Sequence, residues 1–290
     1  MDKMATLYVI GNGFDLHFGL KTAPQHFQDI LMGKKIYNEI DNAYDILNTY
    51  GVNWSEYEQS LAELDLDEIE NQNLIMPDYL SDHESDRDSG ILNMQMYTNS
   101  ISQAISSALS DMVQDANKEV QRRSLMGECY SLFLKDDVVL SFNYTSTIEL
   151  LFELPEGIPI LHIHGFYDAN QPLIFGYKFG KENYKRKMKS NAEDGDYYVD
   201  QQRETIYKFY ESQKKDIQMK TLENFLYSCN AIDQIVVLGH SMGQVDSDYM
   251  ECIERILCPI KWKISFHNSD DVKVNSQMYS FASKIDFFNW

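Results

Sequence analysis

The sequence has few basic residues and few cysteines for its length. Its 290 residues include 25 Lys and Arg against 45 Asp and Glu, a formal net charge of −20. Phosphate contacts along a nucleic acid need clustered cations, so this balance argues against a broad nucleic-acid surface. The four cysteines show no C-x-x-C spacing, and no charged-then-apolar leader opens the chain. We therefore expect a reduced, cytoplasmic protein.

Long apolar runs are also missing. None approaches the roughly 20 residues that a membrane span needs, so no membrane association is expected. Hydrophobic residues nevertheless make up 43% of the chain and aromatic residues 13%, which is typical of an ordered globular protein. Length and composition together predict one α/β domain over residues 1–290, carrying a sizeable insertion.

The N-terminal stretch combines a short apolar run with a glycine turn. Residues 7–10 predict a buried strand, and Gly11 and Gly13 open the turn that follows. Such a turn leading into a helix is a phosphate-binding element in α/β proteins. Leu16 stands where a dinucleotide-binding fingerprint has its third glycine, which argues against a dehydrogenase-type site. The structural alternative is a tight turn in which Asp15 caps the helix.

Strand and helix patterns alternate along the chain. Five apolar runs predict strands, at residues 7–10, 138–142, 158–164, 235–238 and 262–266. This alternation predicts a doubly wound, mostly parallel, Rossmann-like sheet with an inserted helical layer. The turns after the first four strands should then meet at the carboxyl edge of the sheet.

Two segments are expected to add to this sheet. Residues of about 33–126 predict a helical insertion, in which 78–90 is an acidic, solvated loop and 91–126 one long amphipathic helix. Residues of about 176–230 predict a lid with a basic run at 178–189, followed by helical structure. That run could hold pyrophosphate or an acidic partner, or it could be a solvated face.

A second glycine-containing turn suggests a different enzyme class. Residues 239–243 match the G-x-S-x-G pattern of a serine hydrolase elbow, with Ser241 as the nucleophile. Asp246 or Asp248 would supply the acid and His267 the base. The polar segment after the pattern reads as a turn rather than a helix, which weakens this alternative.

Several polar residues stand at predicted strand ends. His162 and His164 alternate on one strand and should face the same side, but no further ligand at suitable spacing indicates a metal site. His164, at the end of its strand, suits acid–base work, although a structural histidine is as well supported. The Asn143 amide can orient a ribose hydroxyl or cap the next helix. Glu58 fits a capping box that opens a helix, and its further role is open.

Taken together, these motifs resemble the AbiH family of bacterial phage abortive-infection proteins. The resemblance rests on five segments that cover most of the chain: residues 9–15, 17–22, 141–145, 162–165 and 238–241 with Asp246. It implies a role in anti-phage defence. A phage-derived trigger protein and a second copy of the chain are compatible partners for such a role.

The same motifs are distantly similar to the SIR2-like layout of sirtuins and bacterial defence NADases. The similarity implies that Gly11 and Gly13 meet a pyrophosphate, Asn143 orients a ribose and His164 acts as the base. It also implies a nucleotide-binding set comprising Gly11, Asn12, Gly13, Phe14, Thr22, Gly165, Gly239, His240, Ser241 and Asp246. Asn12 and Asp15 depart from the residues common in that group, and no zinc-binding cysteine quartet is present.

The leading functional prediction is a cytoplasmic anti-phage enzyme that cleaves the N-glycosidic bond of NAD⁺ or a related nucleotide. Asn143 would hold the ribose, His164 would manage protons, and Asp15 would stabilise the positive charge of the transition state. NAD⁺ enters as substrate or ligand, and no cofactor is required. The alternatives are a non-catalytic nucleotide-sensing or partner-binding module, and a serine hydrolase that uses Ser241.

Overall fold

The computed structural model describes residues 5–36, 41–169, 171–178, 180, 195–266, 273 and 276–290. Its sheet has six parallel strands in this part of the chain: β1 Thr6–Ile10, β2 Val138–Ser141, β3 Ile160–His162, β4 Gln234–Leu238, β5 Lys261–Phe266 and β6 Ile285–Asn289. The strand order is β3-β2-β1-β4-β5-β6, and every neighbouring pair is parallel. The prediction of a Rossmann-like α/β fold is confirmed.

Helices connect and flank these strands. Those of the described chain are α1 Asn12–His17, α2 Pro24–Met32, α3 Ala43–Thr49, α4 Tyr57–Ser60, α5 Leu66–Asn73, α6 Glu84–Leu125, α7 Thr147–Leu151, α8 Tyr197–Ser212, α9 Met219–Ser228 and α10 Ser247–Leu257. None of them combines the length and the apolarity that crossing a membrane requires. The four cysteines are free thiols.

The chain forms two compact units. The first comprises residues 1–23, 112–174 and 216–290 and holds the whole sheet, and the second comprises 24–111 and 175–215. The second unit thus combines most of the predicted insertion with part of the predicted lid segment.

Two local predictions need correction. The acidic segment 78–90 is not a loop throughout, because α6 begins at Glu84, and its acidic first turn is favourable at a helix N-terminus. The sheet does not end at β5. The missed strand β6 is exposed on much of its surface and includes Asp286 and Asn289, so it lacks the apolar run that marked the other strands. Of the basic run 178–189, only Lys178 and Gly180 lie within the described residues.

Both faces of the sheet carry apolar side chains, as expected when strands alternate toward two layers. On one face, Leu7, Val9, Ile235 and Val237 pack with residues of α9 and α10. On the other face, a second cluster places Ile10 of β1 and Leu238 of β4 with α1 and α7. Because β1 lies between β2 and β4 in the strand order, its residues contribute to the clusters on both faces.

One half of the second face forms a groove of about 450 Å³. Its walls come mainly from β1, β4, β5 and β6, and the lining residues are Tyr8, Leu132, Gln234, Val236, Leu238, Lys263, Asp286, Phe288 and Trp290. None of the predicted site residues that the structure describes lines this groove.

Candidate functional site

The two glycine turns interlock where the strand order reverses, between β1 and β4. The amide of Gly11 donates to the Leu238 carbonyl at 2.9 Å, and that of Gly13 to the Gly239 carbonyl at 2.7 Å. Gly239 has a φ of +65°, and a Cβ there would lie 2.1 Å from the Phe14 amide nitrogen. Glycine is therefore needed for the close approach of two loops, whatever ligand binds there. Pyrophosphate binding by these glycines stays a prediction.

Asp15 is a buried carboxyl that joins helix α1 to the segment between β2 and α7. Its Oδ2 accepts from the Thr145 hydroxyl and its Oδ1 from the Thr147 hydroxyl, both at 2.7 Å, and the residue is 1% exposed. Burial raises the pKa of Asp15 to about 6, although the two hydroxyls, the Asn143 amide and the charge of His162 act in the opposite direction. Asp15 is not a helix cap, because α1 starts from a backbone position with no side-chain cap.

Asn143 presents a buried amide at the end of β2. Its backbone is held by the Ser141 hydroxyl, which accepts from the Asn143 amide at 3.2 Å, and by His162, whose Nδ1 lies 2.9 Å from the Asn143 carbonyl. The Asn143 side chain lies near enough to Asp15 to lower the pKa of that carboxyl. No described acceptor, however, meets Nδ2 of Asn143 with hydrogen-bond geometry. A buried donor of this kind marks a place for a ligand or water. Asn143 does not cap α7 either, since that position belongs to Ser146.

The two neighbouring histidines contact different acids, and they do not alternate on one strand as predicted. His162 places Nε2 2.8 Å from Glu149, whereas Nε2 of His164 lies 3.3 Å from Asp246. The cause is that β3 ends at His162 and the chain then turns, so strand alternation no longer applies. Among the described residues, no group of three or more His, Cys, Asp or Glu side chains is arranged to hold a metal ion.

His164, Asp246 and His240 form a buried cluster. Nε2 of His164 lies 3.3 Å from Oδ1 of Asp246, and Nε2 of His240 lies 3.3 Å from its Oδ2. The two imidazoles are 4% and 5% exposed. Both pack edge-on against Phe142, at ring distances of 4.9 and 4.5 Å. Residues from the ends of β2, β3 and β4 therefore meet at one edge of the sheet, as the convergence argument predicted.

The geometry around Ser241 differs from that of a hydrolase elbow. The strained backbone of such an elbow belongs at the nucleophile, but here the positive φ falls on Met242, at 54°. Ser241 is exposed, and Asp246 lies between two histidines. A helix does follow the turn, because α10 begins at Ser247, contrary to the turn-like expectation. His267, the proposed base, lies outside the described residues.

The remaining predicted residues serve the turns and the core. Asn12 donates from Nδ2 to the Thr22 carbonyl at 2.9 Å, and the buried Thr22 hydroxyl makes no hydrogen bond within the described chain. Gly165 has a φ of +91°, and a Cβ there would lie 2.1 Å from the Pro172 carbonyl oxygen. Phe14 is fully buried in the core.

Sequence reasoning missed the groups that hold this edge in place. Thr145 and Thr147 hold Asp15, and their signal was two hydroxyl residues directly after the strand end at Asn143. The backbone amide of Ser146 donates to Oδ1 of Asn117 at 2.9 Å. These positions are far apart in sequence, so no local pattern could indicate the contact.

Glu58 belongs to the second unit and does not close a capping box. The helix α4 starts after Glu56, which makes no side-chain cap. Oε1 of Glu58 accepts instead from the Gly176 amide at 3.4 Å and lies 3.3 Å from Nζ of Lys215, whose side chain is 0% exposed. This ion pair holds separate segments of the second unit together.

Comparison with known proteins identifies one family. The family model described as "Bacteriophage abortive infection AbiH" matches residues 7–266, which is most of the chain. A search of curated proteins found no match to this chain.

Proposed function

The chain belongs to the AbiH family of bacteriophage abortive infection proteins, and we propose from this premise that it is a nucleotide-cleaving defence enzyme. The proposed site is the carboxyl edge of β1 to β4, and the proposed reaction is hydrolysis of the N-glycosidic bond of NAD⁺ or a related nucleotide.

One observation carries this proposal: the buried Asn143 amide stands at the same edge as His164, close to the Asp15 carboxyl, and no acceptor in the described chain meets its Nδ2 with hydrogen-bond geometry. The strand order also supports it, because ligands of open α/β sheets bind at the carboxyl ends of strands near the point where the order reverses. A site that must orient a ribose needs a fixed amide, and the contacts of its own backbone with Ser141 and His162 hold Asn143 in place.

The reaction requires little chemistry from the protein. As the bond from C1′ of the ribose to nicotinamide breaks, C1′ gains oxocarbenium character and nicotinamide leaves as a neutral base. Water adds to C1′ and gives up a proton, which His164 accepts, so that the products are ADP-ribose, nicotinamide and one proton. Asn143 donates to a ribose hydroxyl in this scheme.

The role of Asp15 in this proposal is that of a positioning residue. Both its oxygens accept threonine hydroxyl hydrogens, and only 1% of the residue is exposed. Direct stabilisation of the oxocarbenium ion by Asp15, as expected from the sequence, remains a prediction.

The test is chromatography of nicotinamide released from NAD⁺ by the purified chain, alone and with lysate from phage-infected cells. Wild type should release nicotinamide in at least one of these conditions, and Asn143→Ala should lose the activity with its thermal transition unchanged. Asn48→Ala, which changes an exposed asparagine, is the matched control and should retain activity. Absence of release in every condition overturns the proposal.

A second function is favoured by the burial of the site. Asn143 and His164 are 5% and 4% exposed, a setting that could hold a ligand without turning it over. A nucleotide-sensing module would bind NAD⁺ in calorimetry and return it intact, and Asn143→Ala would abolish the binding. Labelling of Ser241 by a fluorophosphonate probe would instead support the hydrolase.

A further inference from the structure

We infer that Asp246 is a positioning residue that fixes the tautomers of His164 and His240 together, so that Nδ1 is the basic nitrogen of His164. The inference concerns protons on two imidazole rings. Its link to catalysis rests on the proposed function, but its geometry does not.

The tautomer of His240 follows from a backbone contact. The Met242 amide donates to Nδ1 of His240 at 3.0 Å, so Nδ1 must carry the lone pair. A neutral His240 therefore carries its hydrogen on Nε2, which lies 3.3 Å from Oδ2 of Asp246. A carboxylate at that distance favours a hydrogen on the nitrogen that faces it.

Asp246 presents its second oxygen to the other ring. Oδ1 lies 3.3 Å from Nε2 of His164; the contact lacks hydrogen-bond geometry, but at this distance the same charge favours a hydrogen on this nitrogen too. An ionised carboxylate is an acceptor at both oxygens and can therefore face two N–H groups at once. His164 is then left with Nδ1 as its acceptor nitrogen, and this is the atom that would take the proton of the attacking water.

Packing keeps the rings in this arrangement. Phe142 lies edge-on to both imidazoles, and Tyr249 packs against His164 at a ring distance of 5.9 Å. Asp246 itself immediately precedes α10, and its side chain is 13% exposed. The three polar side chains thus approach one another from the ends of β3 and β4 in a mostly buried setting, where the charge of Asp246 acts strongly.

Replacing Asp246 by asparagine tests the inference, because an amide offers one acceptor and one donor in place of two acceptors. In Asp246→Asn, His240 must keep its hydrogen on Nε2, since the Met242 amide still occupies Nδ1. The amide oxygen should then face His240 and the amide nitrogen His164. His164 should switch its hydrogen from Nε2 to Nδ1.

The measurement is long-range ¹H–¹⁵N correlation of the ring nitrogens in protein labelled at its 7 histidines, with His164→Gln and His240→Gln to assign signals. Wild type should show both rings with hydrogen on Nε2 in their neutral forms, and Asp246→Asn should show the switch at His164 alone. Asp248→Asn removes the same charge from an exposed position two residues away and should leave both rings unchanged. A wild-type His164 with hydrogen on Nδ1, or no switch in a folded Asp246→Asn protein, overturns the inference.

The wild-type spectrum decides the matter even if the asparagine variant does not fold. Activity is a separate readout. In Asp246→Asn, a His164 that carries its hydrogen on Nδ1 should lower nicotinamide release by about 10²- to 10⁴-fold, as loss of an oriented base does in other enzymes. A tautomer switch in a protein that never cleaves NAD⁺ would support the inference and overturn the proposed function. Unchanged cleavage with a switched tautomer would remove His164 as the base.

Discussion

The buried carboxyl of Asp15 should make the protein less stable as pH rises, and Asp15→Asn should remove this effect. Burial raises the pKa of Asp15 from 3.8 to about 6, so the folded state binds a proton that the unfolded state has already lost between these values. Stability linked to a raised pKa falls as pH increases through that window. A shift of this size corresponds to about 3 kcal/mol at pH 8.

The pH dependence can be isolated by comparing two variants in urea unfolding at fixed ionic strength. The difference in unfolding free energy between Asp15→Asn and wild type should grow in favour of the variant by about 2 kcal/mol from pH 4.5 to 7.5, because most of the window lies there. Hydrogen bonds lost or gained by the amide change the absolute difference but not its slope with pH. Circular dichroism provides the unfolding signal.

A second variant controls for net charge. Asp286→Asn removes a negative charge from an exposed position, 71% accessible, in the same acidic chain. Its pH-dependent difference from wild type should be clearly smaller than that of Asp15→Asn. A constant difference for Asp15→Asn, or one that grows in favour of wild type with rising pH, would refute the reasoning, since either result means that the folded state does not favour the protonated carboxyl.

Two further substitutions test contacts elsewhere in the chain. Gly239→Ala should lower the free energy of unfolding by about 3 kcal/mol or more, because its Cβ would lie 2.1 Å from the Phe14 nitrogen. Gly19→Ala is the control: its φ is +72° with open space around it, so the loss should be only about 1–2 kcal/mol. Equal losses in urea unfolding would contradict the interlocked turns. Glu58→Gln should lower the free energy of unfolding by about 1–3 kcal/mol in the same measurement, because it removes the carboxylate that pairs with the buried ammonium of Lys215. An effect near zero would show that this pair does not stabilise the fold.

The sheet was predictable because its strands are buried on both faces. Runs such as 235–238 are continuously apolar, and a parallel sheet buries such runs on both sides. The strand β6 was not predictable by this reasoning, since the polar residues Asp286 and Asn289 interrupt any such run. The start of α6 was hidden by acids that favour both a loop and a helix N-terminus.

The candidate site was predictable only in part. Polar residues at strand ends had to meet at one edge, so Asn143 and His164 could be chosen from the sequence. The sequence could not show that Asp246 faces two imidazoles or that Thr145 and Thr147 bind Asp15, because these contacts join positions that are far apart in the chain.

By itself, then, the sequence determined the layer architecture and the edge at which chemistry is expected, since both follow from local hydrophobic pattern and from where strands end. Only the tertiary structure decided which polar groups hydrogen-bond or pair with one another and which loops are in contact. The glycines that resembled a phosphate turn are used for loop-to-loop contact. Asp15 is enclosed by hydroxyls, and the carboxylate beside His164 is Asp246. Such pairings depend on distances across the fold, which no spacing along the chain encodes.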